Sequence, residues 1–462
     1  MIFGNLFEKF IEESPVSVMV KVAMEKALAP ELLDTLFEKT TRYQYTRELL
    51  FSSVVDLMAM VACKARPSIH AAYQKAAERL PVSLAAVYAK LNGLEPALCT
   101  ALVRHVSSQF EPVIRAMVGQ LPAWLPGYRF KIIDGNHFSA TERRLKVTRQ
   151  SQAGPLPGQC LVVLDPALML ALEVIPCEDG HAQERSLTEQ ILALVQPQEI
   201  WIEDRNFCTH QLLEGIAGKQ AFFIVRHHGS MTAWRALSEP KDCGRIETGK
   251  VFSQEIQLTG PESRQHLKLR RITVELDKPT REGDTHIYLL TNLPESVASE
   301  IQVAEGYRCR WTLETLFQEV TVNLCCEIKT LGYPRAALFS FSVALVAYNI
   351  LSLVKAALRA QYGHKKIEEE VSSYYLAEEV SSTYRGMMIA IPEAEWHQVS
   401  ALSAAKIAEV MLQLAAKVRL PAFRKHPRGP KKPVPPRNQF VGRSHVATSR
   451  LLAEASAKKK SL

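Results

Sequence analysis

The sequence predicts an α/β fold, with a central β-sheet framed by helices, a helical segment ahead of it and a helical, then basic, segment behind. Three observations predict this. Apolar residues recur at spacings of three and four through residues 1–125. Near Leu121 the pattern switches to short β-rich runs, several of which end in a carboxylate. Further on, Ala336–Val354 holds no charged residue and reads as one long helix buried across a sheet.

At 462 residues the chain is long enough to bury several cores, and two or three domains are expected. The formal charge of +8 is unevenly placed. Residues 417–462 carry thirteen Lys or Arg against the single Glu454, a balance of +12, which leaves −4 on residues 1–416. Nine cysteines are scattered without a C-x-x-C pair, and only Cys325 and Cys326 are neighbours. With no signal peptide at the start, this reads as a reduced intracellular chain with neither a zinc site nor a disulfide framework.

In residues 1–125 the periodicity predicts helices over Pro30–Phe37, Glu48–Cys63, Ile69–Arg79 and Val82–Leu91, with Thr46, Ser68 and Ser83 placed as N-caps. Acidic and basic residues nearly balance here. A domain that recognises DNA ends and a plain helical bundle both fit. Residues 126–226 and 286–360 then carry the α/β core. Tyr128–Ile133 reads as a strand ending at Asp134, released by Gly135-Asn136 into a turn; such an Asp suits either a catalytic group or a simple turn. Cys160–Asp165 and Leu168–Pro176 read as two more strands, and Glu184–Val195 as a helix. Glu199–Glu203 is a short strand with Asp204 just beyond it. By alternation Glu203 points the opposite way from Asp204. Ala221–Arg226 is a further strand, residues 227–285 an inserted β-rich subdomain, and His286–Thr291 the strand leading back.

Tyr307–Thr321 has no Pro or Gly and reads as one helix. At about 100° per residue, Tyr307, Arg310, Glu314 and Thr321 share a face, so a phenol, a guanidinium and a carboxylate project together. That group can hold a metal ion and a phosphate side by side. The alternative is an exposed amphipathic helix with an Arg310–Glu314 pair at i,i+4. The serines, Tyr348 and Asn349 within Ala336–Val354, and the absence of a second such stretch, favour a buried helix over a membrane span. Residues 361–416 form a helical region whose acidic patches, Glu368–Glu370 and Glu378–Glu379, read as a solvated face. From Pro421 onward Pro, Lys and Arg dominate, as in a flexible basic arm.

The order strand–Asp134, two strands, helix, strand–Asp204, helix, strand, insertion, helix–Glu314 resembles the ribonuclease-H-like core of DDE transposases, a mixed five-stranded sheet with flanking helices. Tyr307-x2-Arg310-x3-Glu314 is similar to the Tyr-Arg-Glu-Lys signature of the cut-and-paste insertion-sequence-four family. Asp134-Gly135-Asn136-His137 and Asp204-Arg205-x-Phe207 are similar to its first and second acid motifs. The resemblance spans roughly 120–360. It implies a DNA transposase in which Asp134, Asp204 and Glu314 hold two Mg²⁺ (or Mn²⁺) ions, while Tyr307, Arg310 and Arg205 position DNA phosphates. It further implies cleavage at terminal inverted repeats of double-stranded DNA, strand transfer into target DNA, a dimer in the synaptic complex, and a cytoplasmic, nucleoid-associated location. One position departs from the pattern. Thr321 stands where the family has Lys, so either another cation, for instance Lys329 or Arg205, takes over that phosphate contact, or the DNA end is held less tightly. A nuclease or resolvase of the same fold would use these acids without joining strands, and an inactive relative would only bind DNA.

Overall fold

The computed structural model describes residues 4–44, 48–78, 80–139, 141, 145–259, 266–280, 283–328, 330–426, 439–440 and 442–460. Thr46 and Lys329 lie outside the described residues. The chain opens with helices α1 (Glu8–Glu13), α2 (Pro15–Leu28), α3 (Pro30–Thr40), α4 (Phe51–Ala62), α5 (Ile69–Ala76), α6 (Leu84–Gly93) and α7 (Ala97–Met117). Ser68 and Ser83 cap α5 and α6 as expected, their hydroxyls accepting from Ala71 and Ala86 backbone N–H groups. Next come β1 (Arg129–His137), α8 (Lys146–Arg149), β2 (Gly154–Leu156), β3 (Gln159–Asp165), β4 (Leu170–Cys177), α9 (Thr188–Leu194), β5 (Glu199–Glu203), α10 (His210–Gly218) and β6 (Phe222–Arg226). The inserted region supplies β7 (Trp234–Ala236), β8 (Lys241–Ile246), β9 (Gly249–Leu258) and β10 (Lys268–Leu276), and β11 (His286–Thr291) returns to the core. Helices α11 (Glu300–Arg308), α12 (Trp311–Val322), α13 (Pro334–Tyr362), α14 (His364–Glu370), α15 (Ser373–Ala390), α16 (His397–Ser400) and α17 (Ala404–Ala415) follow, then β12 (His445–Ala447) and α18 (Thr448–Lys460).

The fold is α/β, with one mixed sheet of ten strands in the order β4-β3-β1-β5-β6-β11-β10-β9-β7, and β8 also paired to β9. β1, β5 and β6 run parallel, whereas β3, β4 and β11 are antiparallel to their neighbours. Residues 227–285, read from the sequence as an inserted β-rich subdomain, supply strands that continue the central sheet, because β10 pairs with β11 along six residues. Side-chain alternation gives the sheet two apolar faces. Ile132, Val162, Leu164, Ile200, Ile202 and Ile224 face one core, with α7, α12 and α13. Ile133, Leu161, Val163, Trp201, Phe223 and Val225 face the other, with α9 and α10.

The N-terminal helices do not close a core of their own. Buried residues of α2, α4 and α7 belong to the same cluster as those of α13 and α17, so the two ends of the chain build one helical layer. At its centre lies α13, the stretch expected to be a buried helix. Its apolar window is long enough to cross a membrane by length and composition, but 94% of that window is buried inside the protein. Its polar residues have partners. The Asn349 amide donates to the Ala171 carbonyl and accepts from the Ala171 N–H, both at 2.8 Å, which satisfies a peptide group on the outer strand β4. Arg359 is buried, donating to Gly119 O at 2.8 Å and pairing with Glu368 at 3.1 Å. Glu368 also takes Lys355, so this part of the acidic patch is a charge partner for α13 and not a solvated face.

The basic C-terminal segment folds in part, where its composition predicts an arm. β12 pairs in parallel with β2, α18 follows directly, and Arg450 reaches Asp179 at 2.8 Å. Backbone pairing with an existing strand supplies the order that this polar composition lacks by itself.

Replacing Asn349 by Leu leaves a buried N–H and C=O without partners. This is expected to destabilise the protein by about 2–4 kcal/mol, read as a lower denaturant midpoint at unchanged slope. Glu203 on β5 is fully buried, with no hydrogen-bond partner on either carboxylate oxygen among the described residues, and burial holds its carboxyl well above the usual range. A group that stays protonated in the fold lends its full stability below the unfolded carboxyl pKa and loses it as pH rises. Glu203→Gln should therefore raise the melting temperature more at pH 8 than at pH 5. An equal shift at both pH values would mean that the native carboxyl is ionised.

Candidate active site

The carboxyl ends of β1 and β5 place the first two acids. Their parallel register runs to Ile133 opposite Glu203, so Asp134 and Asp204 follow side by side at the end of the pairing. Alternation sends Glu203 into the second core with Ile133 and turns Asp134 to the other face, as the sequence predicts for Glu203. β1 does not end at Asp134, however. It continues to His137, because Asp134 through His137 pair with Val162 through Gln159 on β3. The expected Gly135-Asn136 turn is absent, and Gly135 has a different use. A Cβ there would lie 1.8 Å from Glu184 Oε1, so only glycine lets that carboxylate approach the strand.

The third acid arrives on a joint, not on a single rod. The expected helix Tyr307–Thr321 divides into α11 and α12. Across the division, Cys309, Arg310, Thr312 and Leu313 N–H groups donate to carbonyls three residues back, at 2.9–3.1 Å. This short tightened turn changes the angular spacing between Tyr307 and Glu314 from that of a regular helix. Neither Pro nor Gly marks it. Leu313, Leu316 and Val320 anchor α12 in the first core, and the indole of Trp124 packs on Gly306 of α11, where a Cβ would meet it at 2.6 Å.

Arg310 closes the site. It donates to Asp134 Oδ2 at 2.8 Å and to Glu314 Oε1 at 2.6 Å, bridging acids that are 180 positions apart in sequence. Its side chain and that of Asp134 are largely buried, at 14% and 17% exposure, whereas Glu314 is 44% exposed. Burial pushes the Asp134 carboxyl up to about 6, against the pull of Arg310 and of the Gly135 N–H; Glu184 and Asp204 add to the rise. Tyr307 is buried, at 8% exposure. Burial raises its phenol well above the usual value, with Arg310 and Asp204 among the charges it senses. It lies under Arg310 and is not spread on an open surface. Arg205 sits in the turn Arg205–Phe207 that Asp204 opens. Thr321 lies within 3.7 Å of Cys326 Sγ, half-buried at the far end of α12.

Asp134, Asp204, Arg310 and Glu314 are thus brought together, with Tyr307 behind them. Hard oxygen donors around a shared positive group suit a divalent cation. Among the described residues, no three His, Cys, Asp or Glu side chains stand close enough to ligate one metal, because the acids are spaced by a guanidinium. Carboxylate oxygens are the donor type a divalent cation takes, and here Arg310 occupies the space between two of them. Two members escaped the sequence reading. Glu184 accepts from Asn206 Nδ2 at 3.1 Å, and Asn206 lies two residues after Asp204. Nothing local separates Glu184 from the neighbouring acids; a glycine directly after Asp134 in a strand was the available signal.

Residues 125–350 match the family model described as the transposase DDE domain. The chain is 25% identical over 193 residues to the putative transposase InsL for insertion sequence element IS186A of Escherichia coli strain K12. The transposase for insertion sequence element IS421 of Escherichia coli matches to the same extent. Each alignment covers 35% of this chain and 52% of the relative, so the chain spans about half the length of the curated relatives it matches. Among solved structures, a piggyBac transposase chain from a synaptic complex with hairpin DNA aligns with a TM-score of 0.42 and 11% identity, over 85% of this chain and 86% of that one. Residues 125–350 are therefore similar to a transposase DDE domain, and part of the chain is similar to bacterial insertion-sequence transposases.

Proposed function

We propose that the protein is a DNA transposase that cleaves double-stranded DNA at the ends of an insertion sequence and joins the freed 3′ ends to target DNA. The observation that carries this reading is the convergence of Asp134, Asp204 and Glu314 at the carboxyl ends of parallel strands, with Arg310 between two of them. Ligand sites of open α/β sheets form at this place. The sheet order, with three antiparallel strands leading into two further parallel ones, supports the ribonuclease-H-like assignment.

In this reading Asp134, Asp204 and Glu314 hold two Mg²⁺ or Mn²⁺ ions. When bound, these supply an activated water and neutralise the leaving 3′-oxygen. Arg310 has a second anion to choose: a DNA phosphate offers the same bidentate geometry as its two carboxylates. Transfer of Arg310 to phosphate frees Asp134 and Glu314 at the moment substrate arrives. Tyr307, packed beneath, limits how far the guanidinium can retreat. Arg205 stands beside Asp204 and supports the same strand. Two ends must meet for cut-and-paste chemistry, so the working form is a dimer on DNA.

The test uses the full chain and DNA carrying the terminal repeats of the element that encodes it. Asp134→Asn, Asp204→Asn and Glu314→Ala should each reduce cleavage below detection while leaving gel-shift affinity within a few-fold of the parent. Mg²⁺ or Mn²⁺ should support cleavage, and Ca²⁺, with longer and looser coordination, should support binding only. Pre-cut ends should be joined to target DNA by the parent. Cleavage in EDTA, or cleavage without joining, would overturn the transposase reading.

A further inference from the structure

The basic C-terminal segment is anchored at the end of the sheet that carries the acids. β12 lies beside β2 in a parallel register that runs from His445 with Gly154 to Ala447 with Leu156, and the Gly154 N–H donates to Ser444 O at 2.8 Å. Phe440, Ala447 and Thr448 are fully buried, and Arg450 donates to Asp179 Oδ2 through Nε and Nη2 at 2.9 and 2.8 Å. β2 leads into β3 at Gln159, which stands opposite His137 at the carboxyl end of β1, and the Gln159 amide donates to Asp179 O at 3.3 Å. The segment is thereby held on the β3–β4 side of Asp134 and Asp204, at the same end of the sheet. From this anchor α18 packs on α8. Leu451, Leu452 and Ala455 are half-covered, whereas Arg443, Lys458, Lys459 and Lys460 are exposed, as are Lys146 and Arg149 of α8. Glu454 is the one acid on either helix. At about 1.5 Å per residue, the last-turn lysines stand about 15 Å beyond Arg450 along the axis.

Like charges gathered on one surface repel, and a polyanion relieves that repulsion. We propose that α8 and α18 form a phosphate-binding surface for the DNA duplex that adjoins the cleavage position, holding it without reading its bases. The inference goes beyond the chemistry of the acids and rests on the transposase reading for its substrate. Charge complementarity selects the partner: phosphates follow one another at about 3.4 Å along each strand, so cations spread over about 15 Å meet several of them. The anchor decides where the duplex lies. A free basic arm would bind phosphates anywhere, whereas a segment fixed by β12, Phe440 and Arg450 takes them at one distance from Asp134.

Lysines in a last helical turn also suit the helix dipole, a role confined to stability. The experiment separates the two with the full chain, measuring affinity for duplexes with and without the element's ends, in EDTA and over a range of salt, with melting temperatures alongside. Lys458→Gln/Lys459→Gln/Lys460→Gln should weaken binding to both duplexes by the same factor, at least tenfold. It should also flatten the slope of log affinity against log salt by about 2, since each lost phosphate contact removes about 0.9. Lys146→Gln/Arg149→Gln should flatten it by about 1 to 2. A benzophenone amino acid in place of the exposed Ser456 should crosslink to end DNA in one window on one side of the cleavage position. Parent-like affinity and slope in either variant overturn the proposal, as does a lower melting temperature with an unchanged slope. Crosslinks spread evenly along the duplex overturn it as well. Should the triple variant misfold, the α8 pair and the crosslink decide. The transposase reading survives any of these results so long as the parent cleaves and joins its ends. Failure of the parent to bind duplex DNA overturns both.

Discussion

The parallel pairing of β1 with β5 is the constraint on which the site depends. Parallel strands carry their residues in step, so the pairing that ends at Ile133 and Glu203 delivers Asp134 and Asp204 together, pointing away from the second core. The same register commits Glu203 to full burial, which holds its carboxyl well above the usual range. A one-residue slip would exchange these fates, burying Asp134 and Asp204 and exposing Glu203. The slip is opposed on both sides of the sheet, because Ile132 and Ile202 pack in one core while Ile133 and Trp201 pack in the other.

The acids would repel one another if nothing stood between them. Arg310 supplies the opposing charge from within the chain, and the tightened turn joining α11 to α12 is what aims it. A protein arranged in this way can fold and keep its shape before any metal binds. The guanidinium also sets a threshold: a lone cation must displace a bidentate partner, whereas substrate and cation arriving together exchange one set of charges for another. In the proposed function, binding of DNA and of metal is coupled through this one side chain.

Much of this was legible in the sequence. β1, β3, β4, β5, β6 and β11 stand where the β-branched runs predict them, and Ala336–Val354 is the buried helix its lack of charge implies. Asp204 beyond a strand and Glu203 facing the core follow from alternation alone. What was not legible depends on tertiary partners. Gly135 reads as a turn because nothing local announces Glu184, 49 positions away. The break between α11 and α12 carries no Pro or Gly, and comes where Arg310 is drawn to Asp134 across the fold. The inserted strands look independent until β10 is seen pairing with β11. Likewise, the basic C-terminal segment gains a strand only because β2 offers an edge.

A sheet of this width has two margins where unpaired peptide groups could recruit a neighbouring molecule. At β4 the margin is closed from within: Asn349 occupies both hydrogen-bonding positions of Ala171, and α7 and α13 cover the apolar face. At the other margin β9 is shared by two short strands, and the pairing with β8 is itself interrupted between Asp242 and Arg245. Neither margin offers a long, flat template. In the proposed function, where copies meet on DNA, the protein can therefore reach high local concentration without its sheets adding to one another, and self-association is left to other surfaces.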